Sequence, residues 1–304
     1  MQERLLWSGH PENEIMKIQP AEISVSVTGG DAKSSLSITC NCPNMSVLYH
    51  AFRTPLPYAR TLLLQQQIHQ VQLATRRIDP TAHKDILLLL QHRPVYTAGR
   101  RQTEEEVALE RARLTNLGAD FVPTQRGGQI TYHGPGQIVG YPLINLGSYQ
   151  PAMGIRDYIC RMQKTMSTVL RNEYGIESVS SDNTGVFLDK ATKIGSIGVQ
   201  VRHRLTSHGF ALNVTREPLA WFDQVIACGL ADVKAGCMEI AMGESLTVGE
   251  IIPPLVETFG RIYGKEMEEM DPESEGEIGE LIRELEDEAA AMGKWTTEPL
   301  VNAS

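Results

Sequence analysis

Between residues 185 and 214 the chain twice alternates apolar with polar or small residues at a period of two. Ile197, Val199 and Val201 are interleaved with Gly198, Gln200 and Arg202, and Phe210, Leu212 and Val214 with Ala211 and Asn213. Successive side chains of an extended backbone point to opposite faces, so the stretch reads as three strands, 186–188, 193–201 and 207–214, with a turn at 189–192. A short apolar run, DILLLL at 85–90, reads as a strand buried on both faces. Residues 95–97 are expected to continue it up to the break at Gly99-Arg100-Arg101. A chain with such strands needs helices to complete it, and the sequence offers several.

Residues 58–77 place Leu62, Leu63, Ile68, Val71 and Leu73 in a mostly helical pattern that ends at Asp79-Pro80. Residues 103–117 read as a charged helix. The clearest amphipathic helix is 155–170, with Ile155, Tyr158, Ile159, Met162, Met166, Val169 and Leu170 on one face. Two more helices are expected at 247–263 and 277–292. A mixed α/β domain is the coarse result. Residues 1–45 are polar and lack periodicity, so they read as an appended, mobile segment, with the fold beginning near Val47.

The formal charge of −9 is unevenly distributed: residues 265–304 hold 13 acids and 3 bases, so the remainder sums to +1. That segment reads as a partly helical acidic tail exposed to solvent. With no basic stripe in the body, a phosphate-tracking nucleic-acid binder is disfavoured. The five cysteines (Cys40, Cys42, Cys160, Cys228 and Cys237) are scattered and lack a CxxC pair, which suits a reducing compartment. No apolar run is long enough for a membrane span, and the first 45 residues lack the charged start and apolar block of a secretory signal and carry more acid than a typical organellar transit peptide. Met45 is a conceivable second start, since the text after it is free of acid and carries Arg53 and Arg60 as a weak import signal.

Chemistry concentrates in a few places. RGGQITYHGPGQ, residues 126–137, has four glycines beside Arg126, Tyr132 and His133. Bare backbone of this kind lets a ligand or another chain reach main-chain N–H groups, although Gly-Pro-Gly is also ordinary turn chemistry. Neither GxxxxGK[ST] nor a GxGxxG entering a helix is present there, so no nucleotide site is expected. Cys228, in VIACG, could be a buried small hydrophobe or a nucleophile. Lys193, in KIGSIG, could be a solvated strand-end cation or the charge that lowers a thiol pKa. His133 and His208 each stand beside a glycine and could orient a ligand or move a proton, or be structural.

Taken in order, RGGQITYHGPGQIVGYPLINL (126–146), KIGSIGVQV (193–201), TSHGFALNV (206–214) and WFDQVIACG (221–229) resemble the lipoyl(octanoyl) transferases, and PVYTAGR (94–100) resembles a shorter element of that family. The resemblance covers residues 46–264 and leaves 1–45 and 265–304 outside. It implies a mixed β-sheet flanked by helices, like the catalytic domain of biotin and lipoate protein ligases. It also implies transfer of octanoyl from the phosphopantetheine thioester of acyl carrier protein to a lysine of a lipoyl domain. Acceptors would be the glycine cleavage H protein and the E2 subunits of 2-oxoacid dehydrogenases.

By the same resemblance Cys228 is the acyl-thioester nucleophile and Lys193 lowers its pKa, with no ATP, metal or other cofactor. The substrate would be lined by Arg126, Gly127, Gly128, Gln129, Ile130, Thr131, Tyr132 and His133, by Ser196, Ile197 and Gly198, and by Gly209, Phe210 and Ala211. His208 would be accessory. The long ends favour a eukaryotic, mitochondrial member over a compact bacterial one acting in the cytoplasm. The open alternatives are an ATP-dependent ligase of the same fold, a non-catalytic acyl-binding protein and a cysteine hydrolase.

Overall fold

The computed structural model describes residues 23–25, 38–40, 46–225 and 232–300. The chain divides into two units, residues 1–43 and 44–304. In the first, β1 (Ile23–Val25) and β2 (Ile38–Cys40) pair antiparallel, two short strands that the sequence reading did not place. The second unit opens with β3 (Ser46–Ala51), α1 (Tyr58–Ile78), β4 (Asp85–Leu90), β5 (Val95–Ala98) and α2 (Glu104–Thr115). It continues with β6 (Asp120–Pro123), β7 (Thr131–His133), β8 (Gln137–Leu143), α3 (Ile155–Tyr174), β9 (Val186–Phe187), β10 (Thr192–Arg202) and β11 (Leu205–Asn213). The remaining elements are α4 (Glu217–Phe222), β12 (Lys234–Ala235), α5 (Met238–Met242), α6 (Val248–Tyr263), β13 (Glu266–Glu269) and α7 (Gly276–Ala291).

The large sheet runs β12-β10-β11-β8-β4-β3-β13, with β9 also paired to β10. It is mixed: β13, β3 and β4 are parallel, whereas β4, β8, β11 and β10 are successively antiparallel. The DILLLL run forms β4 and is buried throughout. Its side chains divide by parity. Leu87 and Leu89 join Met162, Met166 and Val169 of α3 and Leu255 and Phe259 of α6. Ile86, Leu88 and Leu90 join Leu64 and Ile68 of α1 and Ile282 and Leu285 of α7. β11 is likewise buried along its whole length, with Phe210 and Leu212 in the first core and Ala211 in the second. This is the mixed sheet flanked by helices that the family resemblance implied.

Three expectations differ from what is observed. Residues 95–97 do not extend β4; after Arg93-Pro94, β5 leaves the large sheet and forms a second, three-stranded sheet, β6-β5-β7. A proline has no N–H for a ladder and biases the residue before it, so the chain turns there. The buried face of α1 is not the leucine stripe, since Leu63 is 39% exposed. Ile68 is buried as expected, but the rest of the buried face is Tyr58, Thr61, Leu64, Gln65, His69 and Gln72. Their polar groups serve the sheet: Gln72 Nε2 donates to Leu143 O at 2.8 Å, and Gln65 Oε1 accepts from His208 N at 2.8 Å.

The acidic segment 265–304 is not a solvated tail over its described length. β13 adds an edge strand beside β3, and α7 buries Ile278, Ile282, Leu285 and Ala289. Its acids occupy the outer faces, where Arg60 pairs with Glu288 and Lys84 with Glu275. An i, i+4, i+7 apolar stripe is enough to dock a helix that is strongly acidic elsewhere.

Candidate active site

The two sheets meet around a cavity that is partly open to solvent. It is lined by Arg126, Gly127, Gly128, Thr131 and His133 from the glycine loop and β7, by Ser196, Ile197 and Gly198 of β10, and by His208, Gly209, Phe210 and Ala211 of β11. Tyr58 of α1 and Val139 and Tyr141 of β8 complete the wall. The sequence reading missed these three. Val139 and Tyr141 sit in the apolar run beside the glycines, and Tyr58 begins a helix; nothing in the local text separates them from core residues.

Three expected lining residues are placed elsewhere. Gln129 and Ile130 border a different groove, beside α2. Tyr132 is fully buried in the small-sheet core with Tyr96 and Trp221. The reason is strand alternation: in β7, Thr131 and His133 face the cavity and Tyr132 faces the opposite way.

Arg126, expected among the substrate-lining residues, lies in the wall, but its donors meet the protein's own backbone. Nη2 donates to Thr97 O at 2.6 Å and to Gln129 O at 2.9 Å, and Nη1 donates to Gly127 O at 3.0 Å. The guanidinium therefore staples the loop to β5. Gly127 N in turn donates to Val199 O at 3.2 Å, which fastens the loop to β10. A Cβ at Gly198 would stand 3.1 Å from Arg126 Cδ and 3.2 Å from Gly127 O, so only glycine admits the loop this closely. Part of the glycine content thus answers to the packing of the loop itself.

The inner wall is a set of buried, neutral polar groups. His92 Nδ1 lies 3.1 Å from Leu56 O and Nε2 lies 2.7 Å from Tyr141 Oη. A carbonyl can only accept, so His92 carries its proton on Nδ1 and accepts from the Tyr141 hydroxyl. Gln137 Nε2 donates to Asn213 Oδ1 at 2.8 Å, which orients the amide and leaves Oε1 to accept from His133 Nδ1 at 2.7 Å. His133 Nε2 is then the acceptor. Burial pulls the pKa of His133 down to about 4 and those of His92 and His208 to about 3, and pushes Tyr58 up to about 12. The positive charge of Arg126 lowers His133 and His208 further. At neutral pH these groups offer hydrogen bonds without net charge.

His208 has φ +58° within β11, where the pairing of β11 with β8 stops at Phe210–Gly140. Its N–H turns to Gln65, and its Nδ1 lies 3.4 Å from Tyr58 Oη. Lys193 is half-buried in β10, with Nζ 5.4 Å from the Phe187 ring centroid, three residues from Ser196 of the cavity wall. Cys228 lies outside the described residues; the chain enters its segment from α4 at Val225. Of the other cysteines, Cys160 is exposed on α3 and Cys237 is buried. Among the described residues no group of three His, Cys, Asp or Glu side chains could hold a metal ion, and no helix is long and apolar enough to cross a membrane.

Residues 60–260 match the lipoyl protein ligase A/B catalytic domain. An octanoyltransferase of Caldicellulosiruptor saccharolyticus is 34% identical over 223 residues, covering 73% of this chain and 91% of the relative. The mitochondrial octanoyl-[acyl-carrier-protein]:protein N-octanoyltransferase LIPT2 of Danio rerio is 38% identical over 204 residues, covering 67% and 87%. Among solved structures, the archaeal bipartite lipoate protein ligase of Thermoplasma acidophilum superposes with a TM-score of 0.56 at 18% identity, covering 86% of this chain and 99% of that one. Lipoate-protein ligase A bound with ATP superposes at 0.54 and 17%, covering 84% and 98%. The structures share the fold, and the sequences go further: this chain belongs to the octanoyltransferase family, within the lipoyl protein ligase A/B catalytic domains.

Proposed function

We propose that the chain transfers octanoyl from acyl carrier protein to a lysine of lipoyl-domain proteins by way of a thioester on Cys228. The observation that carries this reading is the cavity between β7, β10 and β11, whose lining lies almost wholly within residues 60–260, the range that matches the lipoyl protein ligase A/B catalytic domain. Its wall is uncharged apart from Arg126, whose donors serve the loop, which suits an acyl chain better than an adenylate. In the first step the Cys228 thiolate attacks the thioester carbonyl, a new C–S bond forms, and the carrier's thiolate leaves. In the second, the acceptor amine attacks the Cys228 thioester, loses a proton and releases the thiolate. Each product keeps an activated or amide acyl group, so no ATP is consumed and no metal or other cofactor takes part.

A thiol with a pKa of about 8.5 is only a few per cent ionised at neutral pH, and Lys193 is assigned to raise that fraction. Thr131, Ser196 and the neutral His133 and His208 would line the chain and its carbonyl. Mitochondrial action is supported by the labelling of the zebrafish relative, while the bacterial relative leaves a cytoplasmic setting as the counterpart. The acceptors are proposed to be lipoyl domains such as those of the glycine cleavage H protein and the E2 subunits.

The test is intact mass of the full chain after mixing with octanoyl-acyl carrier protein, beside Cys228→Ala, followed by addition of a lipoyl domain. An octanoyl adduct on the unsubstituted chain alone, passing then to the domain's lysine, is the expected result. Modification of the domain only when free octanoate and ATP are supplied would replace this reading with a ligase.

A further inference from the structure

We propose that residues 293–300 form a strap that braces the β7 wall of the acyl cavity, with Trp221 as the positioning residue through which it acts. The segment lies beyond the matched residues 60–260 and beyond α7, the last helix among the described residues. It runs past the segments that lead into β5 and β6 and is pinned at four places. Arg93 Nη2 donates to Gly293 O at 2.7 Å and its guanidinium lies 5.3 Å from the Trp295 ring centroid. Thr296 Oγ1 donates to Gly118 O at 3.1 Å, and Leu300 N donates to Leu117 O at 2.9 Å. Gly118 has φ +91°, and a Cβ there would meet Thr296 Oγ1 at 2.9 Å, so the crossing depends on glycine. Between these pins, Thr297 O accepts from Trp221 Nε1 at 3.3 Å.

Trp221 is fully buried and is held on its other sides as well. Its carbonyl accepts from Tyr96 Oη at 2.7 Å, and its indole lies flat against the Tyr132 ring, centroids 5.3 Å apart and 7° from parallel. The Tyr132 hydroxyl has no hydrogen-bond partner among the described residues, so packing against Trp221, Tyr96 and Phe222 sets its position. Tyr132 stands in β7 between Thr131 and His133, both of which face the cavity. A shift of the indole is therefore passed to the wall that touches the acyl chain. The strap residues themselves are exposed or half-buried and absent from all three hydrophobic cores. Releasing the strap should loosen the wall without unfolding the domain.

The inference rests on the octanoyl-transfer reading and predicts a change in selectivity, which a purely structural role would not produce. In the full chain, Trp295→Ala with Thr296→Ala should lower kcat/KM for octanoyl-acyl carrier protein about five-fold, the loss of roughly one hydrogen bond's contribution. Dodecanoyl-acyl carrier protein should lose less, so that the ratio of the two falls about three-fold, with the melting temperature nearly unchanged. Trp221→Phe, which removes only the indole donor and part of the ring, should move the ratio in the same direction, and adding it to the double substitution should have little further effect. An unaltered ratio, or fully additive effects, would overturn the strap's role even if rates fall. A chain that forms no octanoyl adduct at all would instead overturn the transfer reading, and this inference with it.

Discussion

Gln137 Oε1 stands 2.7 Å from His133 Nδ1, which keeps the imidazole proton on that nitrogen and leaves Nε2 as the acceptor. Because Gln137 Nε2 is itself committed to Asn213 Oδ1, the amide cannot turn over without breaking a buried bond. Replacing the amide by a carboxylate keeps the shape and adds a charge that favours the imidazolium. Gln137→Glu should therefore raise the His133 pKa from about 4 towards neutrality. Imidazole ¹H–¹⁵N spectra across pH would show it, and a His133 resonance that still titrates near 4 would contradict the assignment.

Burial holds His92 and His208 near pKa 3 and His133 near 4, all below the ordinary value of about 6.5. The unfolded chain thus binds protons that the folded chain refuses once pH falls below 6.5. Stability is fully present above that value and is lost progressively as pH drops through about 4 for His133 and towards 3 for His92 and His208. Each histidine contributes at most about 2 kcal/mol to the loss by pH 5. Urea unfolding at pH 7 and pH 5 should show a drop of several kcal/mol, made smaller in His208→Gln.

Lys193→Ala should slow formation of the octanoyl adduct mainly near neutral pH, with the rate approaching that of the unsubstituted chain above pH 9, where a thiol ionises unaided. Rapid-quench mass measurements from pH 6 to 10 would report the shift. An unchanged profile would remove Lys193 from that role.

Gly198→Ala puts a methyl group 3.1 Å from Arg126 Cδ and 3.2 Å from the Gly127 carbonyl. The loop must move by a few tenths of an ångström, and with it Gly127 and Gly128 of the cavity wall. We expect about a ten-fold loss in kcat/KM with a stability change of only about 1 kcal/mol. Steady-state kinetics together with a thermal melt would separate the two effects.

Ile282 of α7 is fully buried beneath a surface of glutamates. Ile282→Ala should cost about 2–4 kcal/mol by opening a cavity, as expected of a core residue and not of a tail. A loss below about 0.5 kcal/mol in urea unfolding would show that α7 does not belong to the cooperative fold.

The strands at 193–201 and 207–214 and the helices at 155–170 and 247–263 were readable from periodicity, because side-chain direction follows backbone geometry and α3 and α6 each present one apolar face. The alternation of Phe210 and Leu212 with Ala211 even separated the two cores that β11 divides. The family resemblance carried by the RGGQITYH, KIGSIG and SHGF blocks pointed to most of the residues that line the cavity, whereas the glycines and histidines alone left turn and structural roles open. Composition misled where a minority of residues decided the outcome: four apolar side chains of α7 outweigh its acids in packing, and Gln65 and Gln72 of α1 face inward because the sheet has groups for them to bond. Only the tertiary structure could assign Tyr58 and Tyr141 to the cavity, turn Tyr132 away from it, commit Arg126 to its own loop and bring Thr297 to Trp221. Those outcomes depend on which backbones approach within hydrogen-bonding distance, and pairings between residues 29 to 150 positions apart leave no trace in local periodicity.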